Sequence, residues 1–501
     1  MAHAEPAPAS GRKVDLRERA RTIVSDNGFV PDFPPEVRRE LPRIDREGRP
    51  LGASDASGDI RDLRSLLWSS IDNRDTRDLD QVEVCEPLDN GAARLRLGIA
   101  DVAHIVAKGS AIDQHAGANT TSLYTGVKTF PMLPEELSTD LTSLVEGAER
   151  LVVVVDLVVT AEGEIGEVST YRAAIVNRAK LAYDPVGLWL GGAVPVPEEL
   201  AAIDGLEAQV RLQDDVARRL RQRRQARGAL DLETIEARPV TSGDEVVDLE
   251  VTRKSRAREL IEDFMIAANV SMARLLESRH TPSIRRIVRV PRRWPRIVEL
   301  ARRYGDALPG EPSSAALADF LSRQKAAHPD GFADLSLSVV KLLGAGEYAV
   351  ERPWEPDGDE GHFGLAVEDY SHTTAPNRRY ADLVMQRLVK ASIAGNGAAY
   401  TADELDTIAK RCTLMENAAR KVEREMRKVV AATLMAHRVG ETFDAIVTGV
   451  NRSGTFARLT HPPVEGRVVR GETGLDVGDR IRLSLVEVDA EKGFIDFAHV
   501  S

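Results

Sequence analysis

Four aspartates fall within nine positions of the segment SSIDNRDTRDLDQVEV, at Asp72, Asp75, Asp78 and Asp80, and an uncharged Gln81 follows at once. Asp78 and Asp80 stand two apart, so in an extended segment they project to the same face. Asp72 can return to that face across a turn. Three converging carboxylates repel one another unless a cation lies between them, and a hard ion that takes oxygen ligands, magnesium or manganese, is the usual relief. The spacing is not that of an EF-hand, because the glycine and terminal glutamate of such a loop are missing. No Cys or His lies close enough to favour a softer metal. Carboxylates holding magnesium activate water and stabilise the leaving oxygen in phosphodiester cleavage. The other reading is an acidic surface turn neutralised by Arg74 and Arg77. The apolar flanks LLWSSI and VEV show that the turn leaves a core, which favours a site.

A second constellation lies far downstream, in EGHFGLAVEDYSHTTAPNRRYADLVMQRLVKASI (360–393). Pro376 is expected just inside a helix start, where its missing N–H costs nothing. Tyr380, Leu383, Val384 and Leu388 then form a stripe that buries the helix. Arg378 and Arg379 are expected in its first turn, where guanidinium forks beside free N–H groups make a phosphate-binding corner. A pair of surface arginines is the plainer alternative.

These segments must be positioned by the rest of a 501-residue chain, too long for one ordinary core. Residues 14–68 read as short helices and loops, and residues 82–106 as strands around a polar DNGA turn. RLVVVVDLVVTAEGEIGEVSTYRAAIV adds further strand. Helical patterns follow in PEELAAIDGLEAQVRLQDDVARRLRQRRQA, in SRARELIEDFMIAANVSMARLLESR and from about 402 to 437. The last sixty residues read as five short strands with Gly-bearing turns, which suits a small Greek-key barrel. The fold class expected is mixed α/β (α+β).

A hydrophobic fraction of 43% with 29% charged residues is that of a globular protein. No apolar run reaches the roughly 18–20 residues of a membrane span, and the opening MAHAEPAPASGRK is expected to be a short disordered tail rather than a secretory signal. Cys85 and Cys412 are too few for a disulfide framework or a cysteine zinc site, and a reducing cytoplasm follows. A net charge of −12 argues against a general nucleic-acid coat but leaves room for a local basic channel. RRLRQRRQAR (218–227) and RRIVRVPRRWPR (285–296) are either such patches or intramolecular salt-bridge surfaces.

The blocks WSSIDNRDTRDLDQ, IADVAHIVAKGSAID, FPMLPEELSTDLTSL, IEDFMIAAN and HFGLAVEDYSHTTAPNRRYADLV occur in this order. Together they resemble the RNB catalytic domain of the RNase II and RNase R exoribonuclease family. GETFDAIVTGVNRSGTFARL resembles the OB-fold RNA-binding domain that commonly closes these enzymes. The resemblance implies a processive 3′→5′ exoribonuclease that degrades single-stranded RNA to nucleoside 5′-monophosphates with Mg2+, Mn2+ being a substitute. It implies no DNA preference and leaves protein partners undefined. Asp72, Asp78 and Asp80 match three of the family's four active-site aspartates, with Gln81 in the fourth metal position. Arg378 matches the arginine that contacts the phosphate near cleavage, with Arg379 beside it. Tyr124 matches the aromatic that stacks on the terminal nucleotides. Tyr183 and Glu423 match further RNA-contacting positions, and Glu262, inside IEDFMIAAN, is placed with them. Stacking of bases on tyrosines binds without reading sequence, at about 1–3 kcal/mol per base.

Several positions depart from the family pattern. Gln81 carries no charge, TTAPNRRY replaces FTSPIRRY, and Gln386 stands where a histidine is common. Residues 1–59 are too few and too helix-like for the two cold-shock barrels that usually precede this domain. The organisation expected is an N-terminal piece (1–59), a catalytic domain (60–436) and an OB-fold barrel (437–501). Gln81 also motivates a second reading, an RNA-binding homologue with weakened or absent nuclease activity. A third is a metal-dependent phosphodiesterase acting on DNA or a small nucleotide.

Overall fold

Strands rich in Val, Ile and Leu that are covered on both faces form the centre of the protein. The computed structural model describes residues 14–47, 60–233, 236–242, 245–252, 254–355, 361–451 and 453–500. The opening MAHAEPAPASGRK, expected to be a tail, lies outside them. Two helices begin the chain, α1 (Leu16–Asp26) and α2 (Pro35–Glu47). The strands β1 (Ile60–Asp62), β2 (Trp68–Asp72), β3 (Gln81–Pro87) and β4 (Ala93–Ala100) follow, then α3 (Val102–Ile105) and α4 (Ala111–Asn119). A small hairpin, β5 (Leu123–Tyr124) with β6 (Thr129–Phe130), precedes the long strands β7 (Glu149–Val159) and β8 (Ile165–Ala182).

These strands make a six-stranded mixed sheet in the order β1-β8-β2-β3-β4-β7. β8 is long enough to take two partners. Its first part runs antiparallel to β7, and its last residues run parallel to β2, so the sheet curls back on itself. Trp68, Ile71, Val82, Val84, Leu95, Leu97 and Val152–Val155 are buried in one core. α5 (Tyr183–Leu190), α6 (Glu198–Ala201), α7 (Leu206–Ala226) and, after the hairpin of β9 (Glu236–Ser242) and β10 (Glu245–Thr252), α8 (Arg256–Ser278) come next. α7 packs on β3, α8 on β2 and β7, and α5 on β8. The helical pattern expected to start at PEEL is interrupted after Ala201, and Gly205, at φ 79°, stands immediately before α7.

Beyond α8, β11 (Ser283–Ile287) pairs with β12 (Glu347–Glu351), and between them α9 (Trp294–Arg303), α10 (Ser314–Ala327) and α11 (Phe332–Leu343) share a small core of their own. Then come α12 (Tyr380–Ile393) and α13 (Ala402–Met435), the latter opened by a capping box between Thr401 and Glu404. Five strands close the chain: β13 (Thr442–Asn451), β14 (Gly454–Leu459), β15 (Glu465–Arg470), β16 (Arg480–Asp489) and β17 (Phe494–Val500). They form the expected barrel, closed in the order β13-β14-β15-β17-β16. Its interior residues Phe443, Leu459, Val468, Leu483 and Phe497 join Val422, Met426 and Val429 of α13 in one cluster, so the barrel is seated on that helix.

One expectation meets a correction. Pro376 does not start a helix: residues 375–379 form turns and α12 begins at Tyr380. Arg379 is extended (φ −134°) and bridges to Thr121, while the Asn377 N–H is directed to a buried carboxylate. Tertiary partners therefore hold this segment out of the helix. The basic runs are resolved as salt-bridge surfaces for much of their length. Arg218 and Arg219 pair with Asp214 and Asp215, Arg221 with Glu259 and Asp263, Arg223 with Glu164 and Arg224 with Asp263. Arg285, Arg286 and Arg289 pair with Glu277, Glu416 and Glu347.

Trp68 is fully buried at the root of the aspartate-bearing turn, and its indole N–H donates to the Leu63 carbonyl at 2.9 Å. Trp68→Ala is expected to lower the free energy of unfolding by about 3–5 kcal/mol, seen as a lower urea midpoint at unchanged slope.

Candidate active site

The turn between β2 and β3 is fixed from several sides. The Leu79 N–H donates to Ser143 Oγ at 3.0 Å, and the Ala100 N–H to the Asp80 carbonyl at 2.9 Å. Lys180 reaches across from β8 to the carbonyls of Arg74 and Thr76. Arg74, Asp75 and Arg77 are exposed on its outer edge. The three remaining aspartates turn inward to different partners. Asp72 accepts from the Asn73 N–H at 2.7 Å and the Thr76 hydroxyl at 2.9 Å. Asp78 accepts from the Tyr124 hydroxyl at 3.1 Å. Asp80, only 2% exposed, accepts from the Asn377 N–H at 3.0 Å and from Arg378 Nε at 3.3 Å.

The structure thus brings Asp78, Asp80, Tyr124 and Arg378 together from three separated stretches of chain. Tyr124 is delivered by the segment after α4, which pairs with the Arg378 stretch: the Ser122 N–H donates to the Arg378 carbonyl and the Tyr380 N–H to the Thr120 carbonyl. Thr120 ends α4 at φ 61°, a strained conformation for a β-branched residue. Gly117, one turn earlier, has no room for a side chain, since a Cβ there would stand 3.2 Å from the Tyr380 ring. Arg378 lies deep among protein groups, yet 46% of its side chain stays open to solvent, and Tyr124 is 43% exposed.

Burial sets the proton affinities here. Desolvation pushes Asp80 up to about 7, against the pull of Arg378 and the Asn377 N–H, and the neighbouring charges of Asp78 and Asp382 add to the rise. Desolvation raises Asp78 as well, and Asp72 contributes, while the backbone, Arg378 and the Tyr124 hydroxyl offset part of it. Tyr124 is pushed upward by burial and by Asp78.

The other sequence candidates are placed as follows. Gln81, 6% exposed, opens β3 beside Ile99. Arg379 is tied to the buried Asp382 at 2.7 Å, and Asp382 also accepts from the Ala375 N–H, so this arginine fastens the loop. Tyr183 stands at the start of α5 with the Arg258 guanidinium 4.4 Å over its ring, and Arg258 donates to Asn73 at 2.8 Å. Tyr183 therefore borders the Asp72 side of the turn. Glu262 pairs with Lys254 at 3.0 Å on the outer side of α8, and no contact joins it to the aspartates among the described residues. Glu423 is half-buried on α13, whose packing reaches β5. Gln386 bridges α12 to the end of β4, accepting from the Ala103 N–H at 2.9 Å and donating to the Ala100 carbonyl at 2.7 Å.

Carboxylate, amide and hydroxyl oxygens surround the turn, a donor set that suits magnesium or manganese and not a thiolate- or imidazole-seeking metal. In the arrangement described, Asp72, Asp78 and Asp80 are turned to protein donors. Among the described residues no three His, Cys, Asp or Glu side chains converge closely enough to hold a metal ion. The donor chemistry fits the ion, and Asp72, Asp78, Asp80 and Gln81 are the residues of the turn that would hold it.

Sequence reasoning passed over three residues. Asn377 contributes its backbone, which carries no side-chain signal. Asp382 is hidden in an apolar helix stripe. Glu83 is fully buried in β3, and the signal was present: a charged residue inside the apolar VEV.

A mixed sheet bearing an acidic turn, followed by a terminal barrel, is shared with known proteins. Residues 60–395 match the RNB domain, and residues 441–500 match the RNase II-type exonuclease C-terminal S1 domain. The chain belongs to the RNB-domain family. It is 30% identical over 504 residues to Ribonuclease R of Thermotoga maritima, which covers 94% of this chain and 68% of that protein. It is 29% identical to Ribonuclease R 1 of Lactococcus lactis over 98% of this chain and 61% of the relative, and 29% identical to Ribonuclease R of Escherichia coli over 88% and 57%. The chain thus spans about three fifths of the length of these last two relatives. The fold is shared with Mycoplasma genitalium RNase R in complex with ribose-methylated single-stranded RNA, at a TM-score of 0.84, 22% identity and coverage of 97% and 78%. It is also shared with yeast Ssd1, a pseudonuclease, at a TM-score of 0.70, 17% identity and coverage of 95% and 58%. No helix among the described residues is long and apolar enough to cross a membrane.

The raised Asp80 gives stability a pH dependence of definite sign. Below about pH 4 the group is protonated in both states. From there to about 7 the folded protein keeps a proton that the unfolded chain has released, so stability falls as pH rises through this window and levels off above it. In EDTA, Asp80→Asn is expected to remove that part of the fall, up to about 4 kcal/mol between pH 4 and 7. Urea unfolding of both proteins across the window measures it, and parallel curves would contradict the assignment.

Proposed function

We propose that this protein is a 3′→5′ exoribonuclease that hydrolyses single-stranded RNA to nucleoside 5′-monophosphates, using Mg2+ or Mn2+. The observation that carries the reading is the joining of Arg378 to Asp80. The buried carboxylate holds Nε, so the rest of the guanidinium fork is oriented and open to solvent, ready for a phosphate. The Tyr124 ring, anchored through its hydroxyl to Asp78 and exposed beside that arginine, offers a platform for the terminal base. Hydrolysis adds water across the last phosphodiester, leaving the 5′-phosphate on the released nucleotide and a 3′-hydroxyl on the shortened strand. Asp72, Asp78, Asp80 and Gln81 would hold a divalent cation, which when bound would supply an acidified water and charge neutralisation. Arg378 meets the negative charge that builds on the phosphate, and the fixed Asp80 keeps that cation from reorganising as it does so.

Residues 60–436 make up the catalytic unit in this reading, and the barrel from 437 onward anchors RNA upstream. Cys85 and Cys412 are both buried and unpaired, which accords with a reducing cytoplasm. One observation favours a second reading, RNA binding with a weakened or silent centre: Gln81 brings no charge where the family places an aspartate.

A 5′-labelled poly(A) strand with Mg2+ or Mn2+ separates the two. Stepwise shortening with release of mononucleotides is expected, whereas tight retention without product under either ion supports the binding-only reading. Arg378→Ala is expected to lower kcat about 10²–10³-fold. Asp80→Asn is expected to abolish cleavage and leave RNA affinity nearly unchanged, as read by filter binding.

A further inference from the structure

Tyr124 depends on a turn that its own residues disfavour. Thr120, β-branched, ends α4 at φ 61°, and only its surroundings can keep it there. On its far side the Tyr380 N–H donates to its carbonyl at 2.8 Å. On its near side stands Asn119, 6% exposed, which is engaged by a part of the chain that the hydrolytic reading leaves unused. The Asn119 Oδ1 accepts from the Val30 N–H at 2.9 Å, and its Nδ2 donates to the Val30 carbonyl at 2.9 Å. One side chain thus holds both backbone groups of one residue, which needs a donor and an acceptor in fixed relation, as an amide supplies. Three residues on, Phe33 packs its ring on His115 of α4, centroids 4.6 Å apart. At the other end of α4, Glu40 accepts from the Ile112 N–H at 3.2 Å. Apolar contacts continue the same connection: Ile23, Val24 and Phe29 share one buried cluster with Leu123 and Phe130 of the β5–β6 hairpin. Residues 16–47 therefore grip α4 and its hairpin at several points, although the Val30 side chain itself faces solvent, 43% exposed.

We propose that residues 29–33 are a strap for the RNA platform and that Asn119 is a positioning residue: by gripping the Val30 backbone it holds Thr120 in its left-handed turn and so sets the Tyr124 ring beside Arg378. The inference rests on the reading of Tyr124 as a stacking surface for RNA, and deepens it. The route is short. Thr121 bridges to Arg379, the Ser122 N–H donates to the Arg378 carbonyl at 3.0 Å, and Tyr124 follows two residues later. Freed of the grip on Asn119, Thr120 relaxes toward an ordinary φ, and a rotation there swings the chain that carries Tyr124. α4 itself stays in place, because Arg411 of α13 donates to the Ala118 carbonyl at 2.6 Å. The competing role is plain packing, in which the amide stabilises the fold and does nothing particular to Tyr124.

Binding of 5′-labelled oligo(A) to the full chain in EDTA, read by filter retention, separates these roles without any cleavage. Tyr124→Ala is expected to weaken binding about tenfold, as loss of one stacked base does. Asn119→Ala should weaken it about fivefold in the parent and less than about twofold once the Tyr124 ring is gone, the non-additivity of two residues that act through one contact. Thr120→Gly, which relieves the left-handed turn of strain, should restore most of the affinity lost in Asn119→Ala, and failure to do so overturns the route through Thr120. Phe33→Ala should behave as Asn119→Ala does, and this arm stands if Asn119→Ala does not fold. Val30→Ala should bind like the parent, since only its backbone is held. In hydrogen exchange the Ser122 and Tyr380 amides of Asn119→Ala should exchange about tenfold faster, with those of β3 and β4 unchanged. Parent-like RNA binding by a folded Asn119→Ala overturns the strap and leaves the hydrolytic reading intact. An equal loss with and without the Tyr124 ring, or faster exchange throughout the sheet, also overturns it, since either marks plain packing. Parent-like binding by Tyr124→Ala removes the platform, and the role of Asn119 with it, while shortening of poly(A) with Mg2+ still decides hydrolysis on its own.

Discussion

A single buried carboxylate ties the molecule's two halves of chemistry together. Asp80 sits at the head of β3 with almost no access to water, and its two oxygens are met by the Asn377 N–H and Arg378 Nε, almost three hundred residues downstream. Burying such a group is unfavourable unless its partners are already in place. Those partners come from a segment that would otherwise be free to join α12. The demand of one carboxylate therefore explains why residues 375–379 stay out of the helix, why Arg379 is extended, and why the Thr121 stretch pairs with it. Tyr124 arrives at Asp78 as a consequence of that pairing.

The sheet exists to make this contact reproducible. β2 and β3 are held by neighbours on both sides, and β8 reaches from β7 to β2, so the turn between them leaves a frame fixed at both ends. Lys180 of β8 then takes two carbonyls of the turn, and Ser143 takes the Leu79 N–H. A loop whose backbone groups are satisfied in this way can present side chains at fixed angles, which is what electrostatic stabilisation of a developing charge requires.

Much of this was legible in the sequence, for identifiable reasons. The aspartate turn announced itself because a dense acidic run between apolar flanks has few other uses, and the terminal barrel because five short strands with Gly turns cannot easily be anything else. The stretch around Pro376 was misread because local rules were applied where a distant carboxylate decides the conformation. The basic runs at 218–227 and 285–296 could be read as binding patches or as internal salt-bridge surfaces, and much of their charge is spent on Asp214, Asp215, Glu259, Asp263 and Glu416. No one-dimensional pattern shows which acids fold back onto which bases. Glu83 was visible in VEV and passed over because strand periodicity was read for its apolar members alone.

The internal pairing of those arginines also bears on how the protein meets an anionic polymer. A net charge of −12 would repel a phosphate chain at long range, and the paired basic runs do little to change that. Arg378 is different because its carboxylate partner is buried while its own outer face is open, so its charge faces solvent instead of being cancelled at the surface. In the proposed reading, selection for a strand entering at that point would come from one oriented guanidinium beside one exposed tyrosine. In the proposed reading neither group would read a base edge, and the exposed face of Tyr124 would accept any base. Such a site would be indifferent to sequence and sensitive to the phosphate beside Arg378, because Asp80 is inside and Arg378 is half outside.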